Sequence, residues 1–187
     1  MSEFEYLSVL ISIVLGLGIS HVMATGAQLI RYRSAVRFYL PALLMLALLF
    51  LIHIQIWWAV FELRSVAEWS FIDFALLLSL PTIAFVVSVL LAPDFDREEI
   101  IDLRARYYEH RRWFYGLFAL LPLASLAQER AIRGFIQLDA DPLFRVAFLM
   151  LAAIGFLTAR ERAHYAITVA SLVGFTIYIG MLFLELA

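Results

Sequence analysis

Six long apolar stretches, each near the ~20 residues a helix needs to cross ~30 Å of hydrocarbon, are parted by short segments holding most of the arginines. Nothing else in the sequence limits the fold so strongly. In lipid every backbone N–H and C=O must be satisfied within the structure, so only helices and closed barrels remain. Barrel strands alternate apolar and polar residues over about ten positions. The runs here are continuous and longer. The chain is therefore expected to be an all-α polytopic integral membrane protein, a single domain over residues 1–187 built as a bundle of six transmembrane helices. The expected spans are 4–30, 38–62, 70–92, 107–128, 142–159 and 163–186, with the fourth extended on its cytoplasmic side back to 97.

Composition supports that class. A soluble domain is about a quarter charged; this chain is 16% charged and 64% apolar, with mean hydropathy +0.91. Its net charge of −2 argues against nucleic acid and against a polybasic lipid-binding role. With no cysteine, disulfides, thiolate catalysis, iron–sulfur clusters and covalently attached haem drop out. The opening Met1-Ser2-Glu3-Phe4-Glu5 is acidic where a secretory signal is basic, so the first apolar segment is expected to stay in the mature protein. Arginine is the sole basic residue besides histidine, a usage associated with GC-rich bacterial genomes.

Arginine placement sets the expected orientation. Arg31, Arg33 and Arg37 lie in the first connection. Arg97, Arg104, Arg106, Arg111 and Arg112 lie in the third, and Arg160 and Arg162 in the fifth. The opposite side has Arg64, Arg130, Arg133 and Arg145. By the positive-inside rule the ten-arginine side faces the cytoplasm, and both termini lie on the outer side of a bacterial inner membrane.

Several helix ends carry local signals. Asp96 and Glu99 form a capping box, with Phe95 and Ile100 as a hydrophobic staple, and Asp102 and Arg106 follow at i,i+4. Ser70 and Asp73 make a second box, opening the third helix. Asp141-Pro142 reads as N-cap and N1 proline of the fifth. Pro81 and Pro122 should kink their helices or end them early. No internal repeat is visible between the two halves, so an inverted-repeat transporter is not indicated.

Polar residues at membrane depth are the natural functional candidates. On helix one, Ser8, Ser12, Gly16, Ser20 and Gly26 share a small-residue face suited to close helix packing. Gly18, His21, Thr25 and Gln28 form a separate polar stripe. On helix two, His53 lies opposite Gln55, Trp58 and Glu62, and Trp57 and Trp58 fit an interfacial aromatic belt. Helix six offers Ala170 and Gly174 as a small-xxx-small packing pair. His21 and His53 could in principle hold a b-type haem, but their depths differ by about 7 Å at ~1.5 Å per residue, and no further ligand accompanies them. No cofactor or metal is therefore expected. Catalysis has little support: no serine is paired with a base at membrane depth, and the H-E-x-x-H pattern is absent. The chain is expected to be a channel or transporter for protons, ions or a small solute, acting as a homo-oligomer, with a path through His21, Thr25 and Gln28 and with His53 and Glu62 as relays. The competing expectation is a non-catalytic helical subunit of a larger respiratory or photosynthetic membrane complex. Lipid and membrane-protein partners are implied in either case.

Overall fold

The structure, a computed structural model, describes residues 3–66, 68–95, 100–135 and 140–182. It is all-helical apart from one minimal strand pair. Helix α1 spans Glu3–Arg31 and α2 Leu40–Val60, which tightens into a 3₁₀ turn over Phe61–Ser65. Then come α3, Phe71–Leu91, α4, Leu103–Arg133, α5, Ala140–Leu157, and α6, Glu161–Leu182. Among the described residues, five segments are long and apolar enough to cross a membrane: α1, α2 with its 3₁₀ turn, α3, α5 and α6. Many of their outward residues are apolar, as on α1 (Val9, Ile13, Leu17) and α6 (Val169, Val173, Ile177). That much exposed apolar surface suits lipid and not water.

α4 differs. At 31 residues it is ~46 Å long, more than the ~30 Å hydrocarbon core. Its first turns are charged, and it is not among the five apolar spans. It does not start at the expected position. The strands β1, Val36–Arg37, and β2, Ile101–Asp102, pair in parallel, and Ile101 N–H donates to the Ala35 carbonyl at 2.9 Å. Backbone drawn into that ladder cannot be helical, so α4 begins at Leu103 and not at 97. Asp102 is its N-cap, accepting from the backbone N–H groups of Arg104 and Ala105 at 2.9 Å each. Asp102 therefore does not pair with Arg106. It faces Arg37 at 3.8 Å, and Arg106 Nε instead donates to the Ala92 carbonyl at 3.0 Å. The expected box at Asp96 and Glu99 lies outside the described residues.

Other ends follow the sequence more closely. The Ser70–Asp73 box is complete: Ser70 Oγ accepts from Asp73 N–H at 3.2 Å, and Asp73 Oδ2 accepts from Ser70 N–H at 3.1 Å. α5 starts two residues ahead of expectation, at Ala140, which puts Asp141 inside the first turn instead of at the cap. α4 continues past 128 to Arg133 and ends on Gly134, whose φ of 78° is the left-handed geometry of a helix C-cap. Pro81 and Pro122 sit inside helices that run on past them.

The helices close into a ring in the order α1, α3, α4, α5, α6, α2, and α2 also packs across the ring on α3 and α4. α2 is the most interior of the candidate spans. Connections sort to two ends. The first, third and fifth meet through β1–β2 and through Arg104, whose Nε donates to Glu161 Oε1 at 3.1 Å. At the other end Trp69 N–H reaches Glu3, and Arg145 of α5 pairs with Glu129 of α4. Successive helices thus alternate in direction through the bundle.

Candidate functional site

A cavity of about 190 Å³ opens toward the end of the bundle that holds the second and fourth connections. Five helices line it. Ile52, Ile56, Leu77, Phe118, Leu121, Phe148 and Phe175 supply an apolar floor and wall, and Gln55, Glu62, Ser125, Gln128, Glu129, Asp141, Arg145 and Tyr178 supply the polar mouth. Gln128 and Phe118 are ten residues apart on α4, so the space reaches ~15 Å inward, about half the bilayer.

Local structure assembles the mouth. Asp141 and Arg145 are one turn apart on α5, and Asp141 lies in the first turn, where the helix dipole favours a carboxylate. Arg145 pairs through one Nη with Asp141 and through the other with Glu129 at the end of α4. Tyr178 of α6 donates its hydroxyl to Asp141 at 3.1 Å. The Arg145 and Glu129 side chains are only 12% and 9% exposed. Buried ions are tolerable when paired and hydrogen-bonded in this way. Two buried atoms of cavity-lining residues, Arg145 Nε and Gln128 Oε1, have no partner among the described residues.

Toward the opposite end the interior is filled. Tyr107, Phe114 and Tyr115 of α4 and His164 of α6 are all buried, next to Tyr39 ahead of α2. His164 Nε2 lies 3.0 Å from the Thr158 carbonyl, an acceptor only, so that nitrogen bears the hydrogen and Nδ1 accepts. Tyr107 donates to His164 Nδ1 at 3.1 Å and accepts from Tyr115 at 2.7 Å. The chain of bonds runs one way and stops at a carbonyl, bracing α4 against α6 and the end of α5. Tyr39 Oη and Tyr108 Oη are 3.1 Å apart, and burial holds the Tyr39 hydroxyl above the ordinary phenol range. Arg111 is buried beside this plug. Its guanidinium donates to the Gly155 carbonyl at 3.0 Å, to Phe156 at 2.9 Å and also to Thr158, gathering carbonyls that α5 leaves unsatisfied at its C-terminus.

No protein-family model, curated protein or solved structure matches the chain.

The residues singled out from sequence are scattered with respect to this cavity. Glu62 is at its mouth; His21, Thr25, Gln28 and His53 do not line it. The polar stripe of α1 is no continuous interior path: Thr25 is buried with its hydroxyl bonded to the His21 carbonyl at 2.9 Å, and Gln28 is exposed. His21 stands edge-on to Phe85 with a ring-centre separation of 5.9 Å. His53, fully buried, donates from Nδ1 to the Leu49 carbonyl at 2.7 Å. Its Nε2 points at α1, where a Cβ on Gly18 would lie 2.1 Å away. That nitrogen faces backbone and not an open coordination site.

The two faces of α1 also exchange roles. Ser12, Gly16 and Ser20 are exposed, Ser8 and Gly26 are half-buried, and nothing lies within 4 Å of a Cβ added at Gly16 or Gly26. Close packing within the protomer runs through Gly18 instead, a member of the stripe read as polar. On α6, Gly174 packs on Phe148 at 3.8 Å from its added Cβ, and Ala170 is exposed. Sequence reasoning missed Arg111, Arg145, Asp141 and Gln128 as site residues. An available signal was the Asp141–Arg145 spacing of four, which marks a helix-surface ion pair at the edge of an apolar run.

Proposed function

We propose that the chain is a carrier of the bacterial inner membrane that moves a small solute through the cavity between α2 and α4. It crosses the membrane six times, with α4 as the sixth span. The alternating helix directions support six crossings. The arginine-rich first, third and fifth connections support a cytoplasmic position for their end, with both termini and the cavity mouth outside. The observation that carries the proposal is one-sided access: within one protomer the cavity is open at the outer end and backed by the Tyr107–Tyr115–His164 plug. A closed inner half suits a carrier in one of its end states better than a continuous pore. Pro122 lines the cavity and lacks an N–H for the Phe118 carbonyl, which gives α4 a weak point at that depth. The exposed Ser12, Gly16 and Ser20 of α1 offer a close-packing face to a second copy. That same face supports the competing reading, a structural subunit of a larger membrane complex.

The test uses the chain's lack of cysteine. Ser125→Cys should react with a membrane-impermeant maleimide added from outside, and a transported solute should protect it. In proteoliposomes a panel of small solutes should include at least one with protein-dependent counterflow, and Ala59→Phe, which fills the cavity, should abolish it. A reactive Ser125→Cys with no protein-dependent flux for any solute would overturn the carrier and favour the subunit.

A further inference from the structure

We infer that the occupant of this cavity is an uncharged amphiphile of single-ring size whose head group bonds Gln128 and Arg145. The inference rests on the reading of the cavity as a solute site, and it names the chemistry that site would select.

Size comes first. A cavity of ~150 Å³ lined by apolar side chains accommodates benzene. At about 190 Å³ the present one holds a ring and one or two further heavy atoms. Phe118, Phe148 and Phe175 form an aromatic surround on which a planar ring can pack edge-to-face.

Charge comes next. The cation at the mouth is already committed: both Nη atoms of Arg145 are engaged by Glu129 and Asp141, and Tyr178 completes Asp141. An anionic solute would have to displace a buried carboxylate from Arg145, and a cationic one would have to draw Glu129 or Asp141 away from it or take Glu62 from its own partner. Breaking a buried pair leaves an uncompensated charge and is strongly unfavourable. A neutral solute leaves the pairs intact.

The head group follows from the two unmet atoms. Arg145 Nε–H is a buried donor and Gln128 Oε1 a buried acceptor, neither with a partner among the described residues. A buried polar atom without a partner bears a desolvation cost that a ligand can remove. A hydroxyl offers both the acceptor that Nε–H needs and the donor that Oε1 needs. An ether oxygen satisfies only Nε, and a hydrocarbon neither.

Three fluorinated probes separate these cases: 4-fluorophenol, 4-fluoroanisole and fluorobenzene, each titrated into the full chain in nanodiscs and followed by fluorine NMR. The expected result is saturable binding in the order phenol, anisole, benzene, with 4-fluorophenol about tenfold tighter than fluorobenzene for two recovered hydrogen bonds. Gln128→Leu should bring the two within about threefold while fluorobenzene still binds, which shows that the cavity survives. Ala59→Phe should remove saturable binding of all three. No saturable 4-fluorophenol signal in the native chain overturns the inference. So does equal affinity for 4-fluorophenol and fluorobenzene, or tighter binding of 4-fluorobenzoate or 4-fluorobenzylamine than of the phenol. Binding without flux upholds the inference and removes the carrier, whereas flux of another solute without 4-fluorophenol binding does the opposite.

Discussion

Replacing Gly18 by alanine is expected to prevent most of the protein from folding, at a cost of about 3 kcal/mol or more, the upper part of the range for overpacked interiors. The added Cβ would lie 2.1 Å from Nε2 and 2.4 Å from Cδ2 of His53. Neither side can yield cheaply. The imidazole is fully buried and anchored by its Nδ1 bond to Leu49, and the glycine is held in the middle of a 29-residue helix. The melting temperature and the monodisperse yield in mild detergent measure the effect. Within the protomer Gly16→Ala and Gly26→Ala meet open space, so the fold should melt near the native value even where Gly16→Ala weakens a contact with a second copy. His53→Ala removes the obstacle, so Gly18→Ala added to His53→Ala should cost far less than it does alone. That non-additivity is the signature of a direct contact. If Gly16→Ala proves as damaging as Gly18→Ala, the assignment of the packing face is wrong.

Removing the Arg111 guanidinium should be comparably severe. Arg111→Leu removes the guanidinium and strands the carbonyls of Gly155 and Phe156 at the buried end of α5, while the Thr158 carbonyl keeps its bond from His164 Nε2. Each buried acceptor left unsatisfied costs about 1–3 kcal/mol, so a total of roughly 3 kcal/mol or more is expected. Arg111→Lys should fall between, because all three bonds leave the single Nη1, which an ammonium can imitate only from a shorter stem and as a more strongly hydrated charge. The exposed neighbour Arg112→Ala should change little. Thermal melting in detergent ranks the four proteins. A native-like melt for Arg111→Leu would show that this guanidinium does not hold α5 in place. The neighbouring Gly155→Ala should also destabilise, since its Cβ would lie 2.5 Å from the Tyr115 ring.

The helical class and five of the six apolar segments were legible because burial in lipid imposes length and continuity on each helix separately. The Ser70–Asp73 box was legible for a similar reason: all its atoms lie within four residues. Which face of α1 turns inward was not. Helical spacing groups Ser12, Gly16 and Ser20 on one side and Gly18 and His21 on another, but it does not say where α2 lies, and the partner of Gly18 is 35 positions away. Arg111 and Arg145 were read as topology charges, because sequence shows that an arginine borders an apolar run and not whether carbonyls or carboxylates surround it. The start of α4 moved to Leu103 because β1, some sixty-five residues earlier, holds residues 101 and 102 extended. The cavity drew on five helices at once, and no local pattern announces such a convergence.

The order of the ring has a consequence for how the protein is made. Helices adjacent in the ring are not always adjacent in sequence. α1 lies between α2 and α3, and the circle closes only where α6 meets α2. As the chain emerges from the ribosome, α2 must wait with one flank uncovered until the last helix is delivered. The pairing of Val36 and Arg37 with Ile101 and Asp102 comes earlier and ties the first hairpin to the root of α4 as soon as that root emerges. It acts as a temporary fastening that keeps the half-built circle open at the right place. A ribosome stalled before α6 should therefore leave a species that is inserted and held at one end, yet remains a client for membrane chaperones along the flank of α2.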